Sequence, residues 1–116
     1  MNATEIIPAL DALAAELTAR GVNASTDPTQ IDVPGAWVTV ESFNPERLCG
    51  DFTVTAAIYL IARDTGHTAA LTDLAAMLET VAEVAPAITT ATPDSVALPG
   101  YSGPLPALRT TTQIGD

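Results

Sequence analysis

The chain is 116 residues long and carries 14 acidic residues against four arginines and no lysine, for a formal net charge of −10. A surface so short of cations cannot release a run of phosphate counterions, which excludes a nucleic-acid grip, and an anionic membrane repels it. The single cysteine, Cys49, excludes an internal disulfide, no apolar run approaches the ~20 residues of a membrane helix, and a 47% hydrophobic content excludes a disordered chain.

The length fits one domain, residues 1–116. The first residues, Met1 to Pro8, have no basic region ahead of an apolar one, so no secretory leader is expected. Ile6, Leu10, Leu13 and Leu17 recur at helical spacing and predict a first helix from about Thr4 to Arg20, with Thr4 or Asn2 as its cap. Pro8 is tolerated only in the first turn, Glu16 and Arg20 form an i,i+4 pair, and Gly21 provides the stop. Val22 to Thr26 reads as a short strand and Asp27-Pro28-Thr29-Gln30 as a turn.

Ala36 to Phe43 and Phe52 to Ala62 read as an antiparallel hairpin closed by the polar loop Asn44 to Gly50. In the longer strand Phe52, Val54, Ala56, Ile58 and Leu60 share one face, and Thr53, Thr55 and Tyr59 the other, the pattern of a sheet covered on one side. Asp64-Thr65-Gly66 ends that strand. A second helix follows over His67 to Val84, with Leu71, Leu74, Leu78 and Val81 as its stripe. Ile88 to Thr92 is a candidate short strand, and Leu105 to Ile114 a last strand, assigned to a sheet edge by its proline and threonines. The fold class expected is α+β: two helices on one face of a mainly antiparallel sheet of four or five strands, in the order α-β-β-β-α-β with room for one strand more. The second sheet face, carrying Trp37, Tyr59 and threonines, is then open for another copy to dock.

The residues give little chemistry. Asp64-Thr65-Gly66 is the sharpest catalytic signal, because retroviral-type aspartic proteases pair two such aspartates across a dimer to activate water. A helix follows here where that family has a strand, and no arginine follows a glycine as its later segment requires. The competing account is a strand-to-helix turn in which Asp64 or Thr65 caps the helix. His67 lacks the partners of a general base, and one histidine with one cysteine makes no zinc site of the usual composition. Arg47 beside Cys49 would lower the thiol pKa, against the plainer reading of an unreactive thiol. No phosphate-binding glycine motif and no calcium loop is present. No cofactor, no metal and no catalysis are expected. Trp37 reads either as core or as an interface anchor.

A helix, a Gly21-Val22 strand, the Thr26-Asp27-Pro28 turn, the Pro34-Gly35-Ala36-Trp37-Val38 strand, a long strand ending Tyr59-Leu60-Ile61-Ala62 and a leucine-rich helix follow one another. This order resembles the tail-terminator proteins of long-tailed phages, especially those infecting actinobacteria, over nearly the whole chain. The resemblance implies a structural virion protein at the neck, assembled in the host cytoplasm. It implies a homo-oligomeric ring of six copies on the major tail tube protein, docking to a head-side connector or stopper, with DNA passing through the lumen unbound. The acidic charge suits such a lumen. Trp37, Asn44, Pro45, Glu46, Arg47, Leu48 and Tyr59 are the candidate interface residues, the hairpin loop contacting a neighbouring ring or the tube. Another neck protein, a head-tail stopper or adaptor, is the alternative in the same class, and an aspartic protease using Asp64 the alternative in another.

Overall fold

The computed structural model describes residues 3–45, 52–64, 66–84, 90–101 and 103–114. The chain is an α+β fold of two helices and one five-stranded mixed sheet. Its elements run α1 (Ile6–Ala19), β1 (Ala24–Ser25), β2 (Gly35–Pro45), β3 (Phe52–Ile61), α2 (His67–Val84), β4 (Ala91–Val96) and β5 (Leu105–Ile114). The strand order across the sheet is β1-β2-β3-β5-β4. Only the β1–β2 pair is parallel.

Helix α1 buries Ile6, Leu10, Ala14 and Leu17, with Leu13 only half-buried beside them. It enters through a 3-10 turn, Ala3–Glu5; Glu5 stands at the N-cap and its own side chain makes no capping hydrogen bond. Its end is a Schellman motif. The Gly21 N–H donates to Thr18 O and the Val22 N–H to Leu17 O, and Gly21 takes φ +98°, a conformation that glycine adopts without a Cβ penalty. The buried side chains of Leu17 and Val22 accompany that closure. Helix α2 buries Ala70, Leu74, Met77 and Val81. The expected leucine stripe is therefore rotated by one position: Leu71 is 43% exposed. Arg20 joins the C-terminal ends of the two helices, reaching Glu83 at 3.4 Å and its i,i+4 partner Glu16 at 4.0 Å.

Leu105–Ile114 is not an edge strand. It lies between β3 and β4, and the edge is β4, which holds Pro93. Pro106 fits inside because it precedes the last β3–β5 pair, Ile61 with Ala107; its carbonyl accepts from the Ala62 N–H. The threonines fit because the deepest, Thr110, donates its hydroxyl to Thr90 O at 2.8 Å, which satisfies the buried polar atom.

The second sheet face is covered as well. Ile31 and Val33 from the connection after β1, Leu98 from the connection after β4, and the paired strand ends Val96 and Leu105 pack with Ile61 and Ala107, with Trp37 and Tyr59 against their flank. The expectation of a single covered face fails because the connections after β1 and β4 each fold back across the sheet with apolar side chains of their own. Ala57 and Ile61, on that second face of β3, are as buried as Ile58 and Leu60 on the helix face.

Gly35 is a steric requirement of the β1–β2 crossover. A Cβ there would lie 2.6 Å from Asp32 O and 2.7 Å from Asn23 O, both backbone atoms, the second held by the Ala36 N–H and the first accepting from the Asn23 side-chain amide. Gly35→Ala is expected to destabilise the fold by about 2 kcal/mol or more, read by urea denaturation. Gly103→Ala, where a Cβ meets nothing within 4 Å, should stay within about 0.5 kcal/mol of the parent.

Candidate assembly surfaces

Trp37 and Tyr59 sit opposite each other on β2 and β3. Their rings stack with centroids 5.3 Å apart and planes 25° from parallel. Both are half-buried, and the Trp37 Nε1–H donates to Thr26 O at 3.3 Å, which ties the ring to the connection after β1. The pair thus belongs to the flank of the second hydrophobic cluster and presents only part of its surface to a partner.

The turn under that contact is held by Asp27. Its Oδ1 accepts from the Thr29 hydroxyl at 2.7 Å and the Thr29 N–H at 2.9 Å. These two donors, the hydroxyl first, lower the Asp27 pKa below its ordinary value. A carboxylate depressed in the folded state contributes stability above its unfolded pKa, and that stability is lost as pH falls through the folded value.

Further along the same face, a register shift between Val40 and Ser42 makes Glu41 the extra residue of a bulge. Glu41 forms an ion pair with Arg109 of β5 across the intervening strand. Ala57 lies on β3 between the two strands, and its single methyl leaves room for the pair to meet. Neither partner was legible as a pair, since 68 residues separate two ordinary charged strand positions.

The hairpin carries the remaining expected interface residues. Asn44 and Pro45 end β2, with backbone pairing to Thr53 and Phe52. Glu46, Arg47 and Leu48, with Cys49, lie outside the described residues. Phe43, one residue before Asn44, is 51% exposed; composition did not single it out.

Asp64 is exposed in the turn between β3 and α2, and Thr65 lies outside the described residues. Gly66, at φ +113°, accepts the first helical bond of α2 from the Ala70 N–H, so the glycine itself stands at the N-cap. Asp64 instead borders a cleft of about 350 Å³ between α2 and the β4–β5 end of the sheet. Asp94 borders it too, and Leu71, Leu74, Pro93 and Leu108 make most of its apolar lining. Among the described residues no group of three His, Cys, Asp or Glu side chains is placed to hold a metal ion, and no helix is long and apolar enough to cross a membrane.

Comparison with protein-family models, with curated proteins and with solved structures finds no match to this chain.

Two outcomes follow from the second face. A double-mutant cycle on Glu41→Gln and Arg109→Gln should give a coupling of about 0.5–1 kcal/mol, since both side chains are about one-third exposed, and 1 M salt should shrink it. Acid titration followed by fluorescence of Trp37, the only tryptophan, should show a transition below the ordinary aspartate range that Asp27→Asn removes. An unchanged profile in that variant would refute the role given to the turn.

Proposed function

We propose that this chain is a structural neck protein of a long-tailed phage, a tail terminator whose ring ends polymerisation of the tail tube and docks to the head-side connector. The observation that carries the reading is the element order. The α-β-β-β-α-β-β succession of the fold is the order in which the Gly-Val strand, the Pro-Gly-Ala-Trp-Val strand, the long Tyr-Leu-Ile-Ala strand and the leucine helix resemble that family. The α+β fold supports a terminator over a stopper, which tends to a β-barrel, and over an adaptor, which tends to a helical bundle. The net charge of −10 supports a channel wall along which DNA slides without sticking.

The aspartic-protease reading gains nothing from the turn at Asp64, which leads into an 18-residue helix. The test is polymerisation of the cognate tail tube protein with and without the purified chain. Addition of the chain is expected to yield tubes blunted at one end by a ring, visible by negative-stain microscopy, that no longer elongate. Tubes that keep growing at saturating chain would overturn the proposal. Asp64→Asn should leave capping unchanged.

A further inference from the structure

The outer edge of β4 offers one kind of polar group. The Ala62 N–H donates to Pro106 O, so Pro106 turns its backbone toward β3. Backbone groups of successive strand residues alternate sides, so Ala107 turns toward β4 and pairs with Asp94. Pro93 and Ser95, on either side of Asp94, therefore direct their backbone to the open edge of the sheet. A strand added there would need an N–H from each. Pro93 has none, and the Ser95 N–H donates to Asp94 Oδ1 at 2.8 Å. This stretch of edge presents carbonyl and carboxylate oxygen outward, which is a poor template for a strand and a good acceptor for a donor side chain.

The cleft of about 350 Å³ opens on the same edge. Leu71, Leu74, Pro93 and Leu108 supply its apolar lining, and Asp64 and Asp94 border it. Leu71 is exposed there although it is large and apolar, so an aliphatic group laid on it removes apolar surface from water. The N-terminus of α2, at Gly66, brings about half a positive charge to this end, against the full charges of two aspartates. The net field is negative, and it selects a cation beside the aliphatic group.

The chain itself is a poor source of that cation. It has no lysine. Among the described residues Arg20 and Arg109 are paired with carboxylates, and the Arg63 Nε–H donates to Val33 O at 3.1 Å. A second copy also brings a net charge of −10, which repels.

We propose that the cleft between α2 and the β4–β5 edge docks a segment of a different protein in which an aliphatic side chain neighbours an arginine or lysine. The aliphatic group covers Leu71 and Leu108, and the cation meets Asp64, Asp94 and the outward carbonyls of β4. The contact is made by side chains and not by strand addition. It stands apart from tube capping, which Asp64→Asn is expected to leave unchanged.

The probe is the hexapeptide acetyl-Gly-Ser-Leu-Arg-Gly-Ser-amide, added to the full chain and followed by amide nitrogen–proton correlation spectra. Saturable shifts are expected at Leu71, Leu74, Asp94 and Leu108 and their neighbours. Citrulline in place of the arginine keeps the shape, removes the charge and should weaken binding about fivefold. The Asp64→Asn/Asp94→Asn chain should lose as much, and an asparagine at position 94 still accepts from the Ser95 N–H, so the edge keeps its form. Leu71→Ser, at an exposed position, should weaken binding about threefold or more. Acetyl-Thr-Val-Thr-Val-amide, which offers a strand and no cation, should leave β4 unshifted. Absence of saturable shifts, shifts confined to other parts of the chain, equal binding of the citrulline peptide, or pairing of the strand peptide with β4 would each overturn the proposal. Sedimentation velocity without peptide separates the two possible occupants. The parent and the double variant should sediment alike; a multimer of the parent that the double variant dissociates would make a copy of the chain the occupant, and the proposal would fall.

Discussion

Burial of β3 on both faces, with hydrogen bonding along both edges, is the constraint on which the other elements depend. Its neighbours β2 and β5 are both antiparallel to it. Val54, Ala56, Ile58 and Leu60 belong to the cluster on the helix side, Ile61 packs with the segments that cover the other side, and Ala57 is buried on that side as well. Because successive side chains alternate faces, a slip of one residue would exchange both sets at once, moving half-buried Tyr59 and Thr55 into the helix interface. Register is therefore specified twice, and the Trp37–Tyr59 and Tyr59–Arg109 oppositions follow from it.

That double burial determines where the sheet carries polar and open surface. The helix side closes around one continuous cluster, running from Ile6 of α1 through the sheet to Val81 of α2. The second side closes only toward the Ile61 end, where Ile31, Val33 and Leu98 are available to cover it. Toward the hairpin end the groups on that side are polar, namely the Glu41–Arg109 pair and Thr111 of β5. A small residue at position 57 and a bulge at Glu41 are the two local features that let that pair form across β3.

Periodicity revealed most of the frame, because it reports local geometry. The extents of α2 and of the long strand β3 follow from spacing and from the residues that break it. Long-range packing decided the rest. The helical stripes are displaced to Ala14 in α1, with Leu13 half-buried beside it, and to Ala70 and Met77 in α2, where Leu71 is exposed. A proline and several threonines in Leu105–Ile114 resembled an edge, and only the position of Pro106 beyond the β3 pairing and the Thr110 bond to Thr90 O make an interior strand of it. Of the candidate interface, Trp37 and Tyr59 were legible as large aromatics on the second face, but their shared stacking and the tie to Thr26 O depend on chain segments apart in sequence. The cleft was illegible for the same reason: Asp64 and Asp94 lie 30 residues apart and only the fold brings them to one rim.

The charge imbalance limits how such a chain can associate. Two copies at −10 each repel at long range. At physiological ionic strength that repulsion is screened beyond roughly 8 Å. Short-range terms then decide whether copies meet, and unspecific acidic surface supplies none of them. Among the described residues every arginine is already committed to a carboxylate or a carbonyl of its own chain. An attractive electrostatic contact between copies therefore has to involve an exposed acid on one side and a cation not held in these pairs on the other, next to apolar surface that repays desolvation.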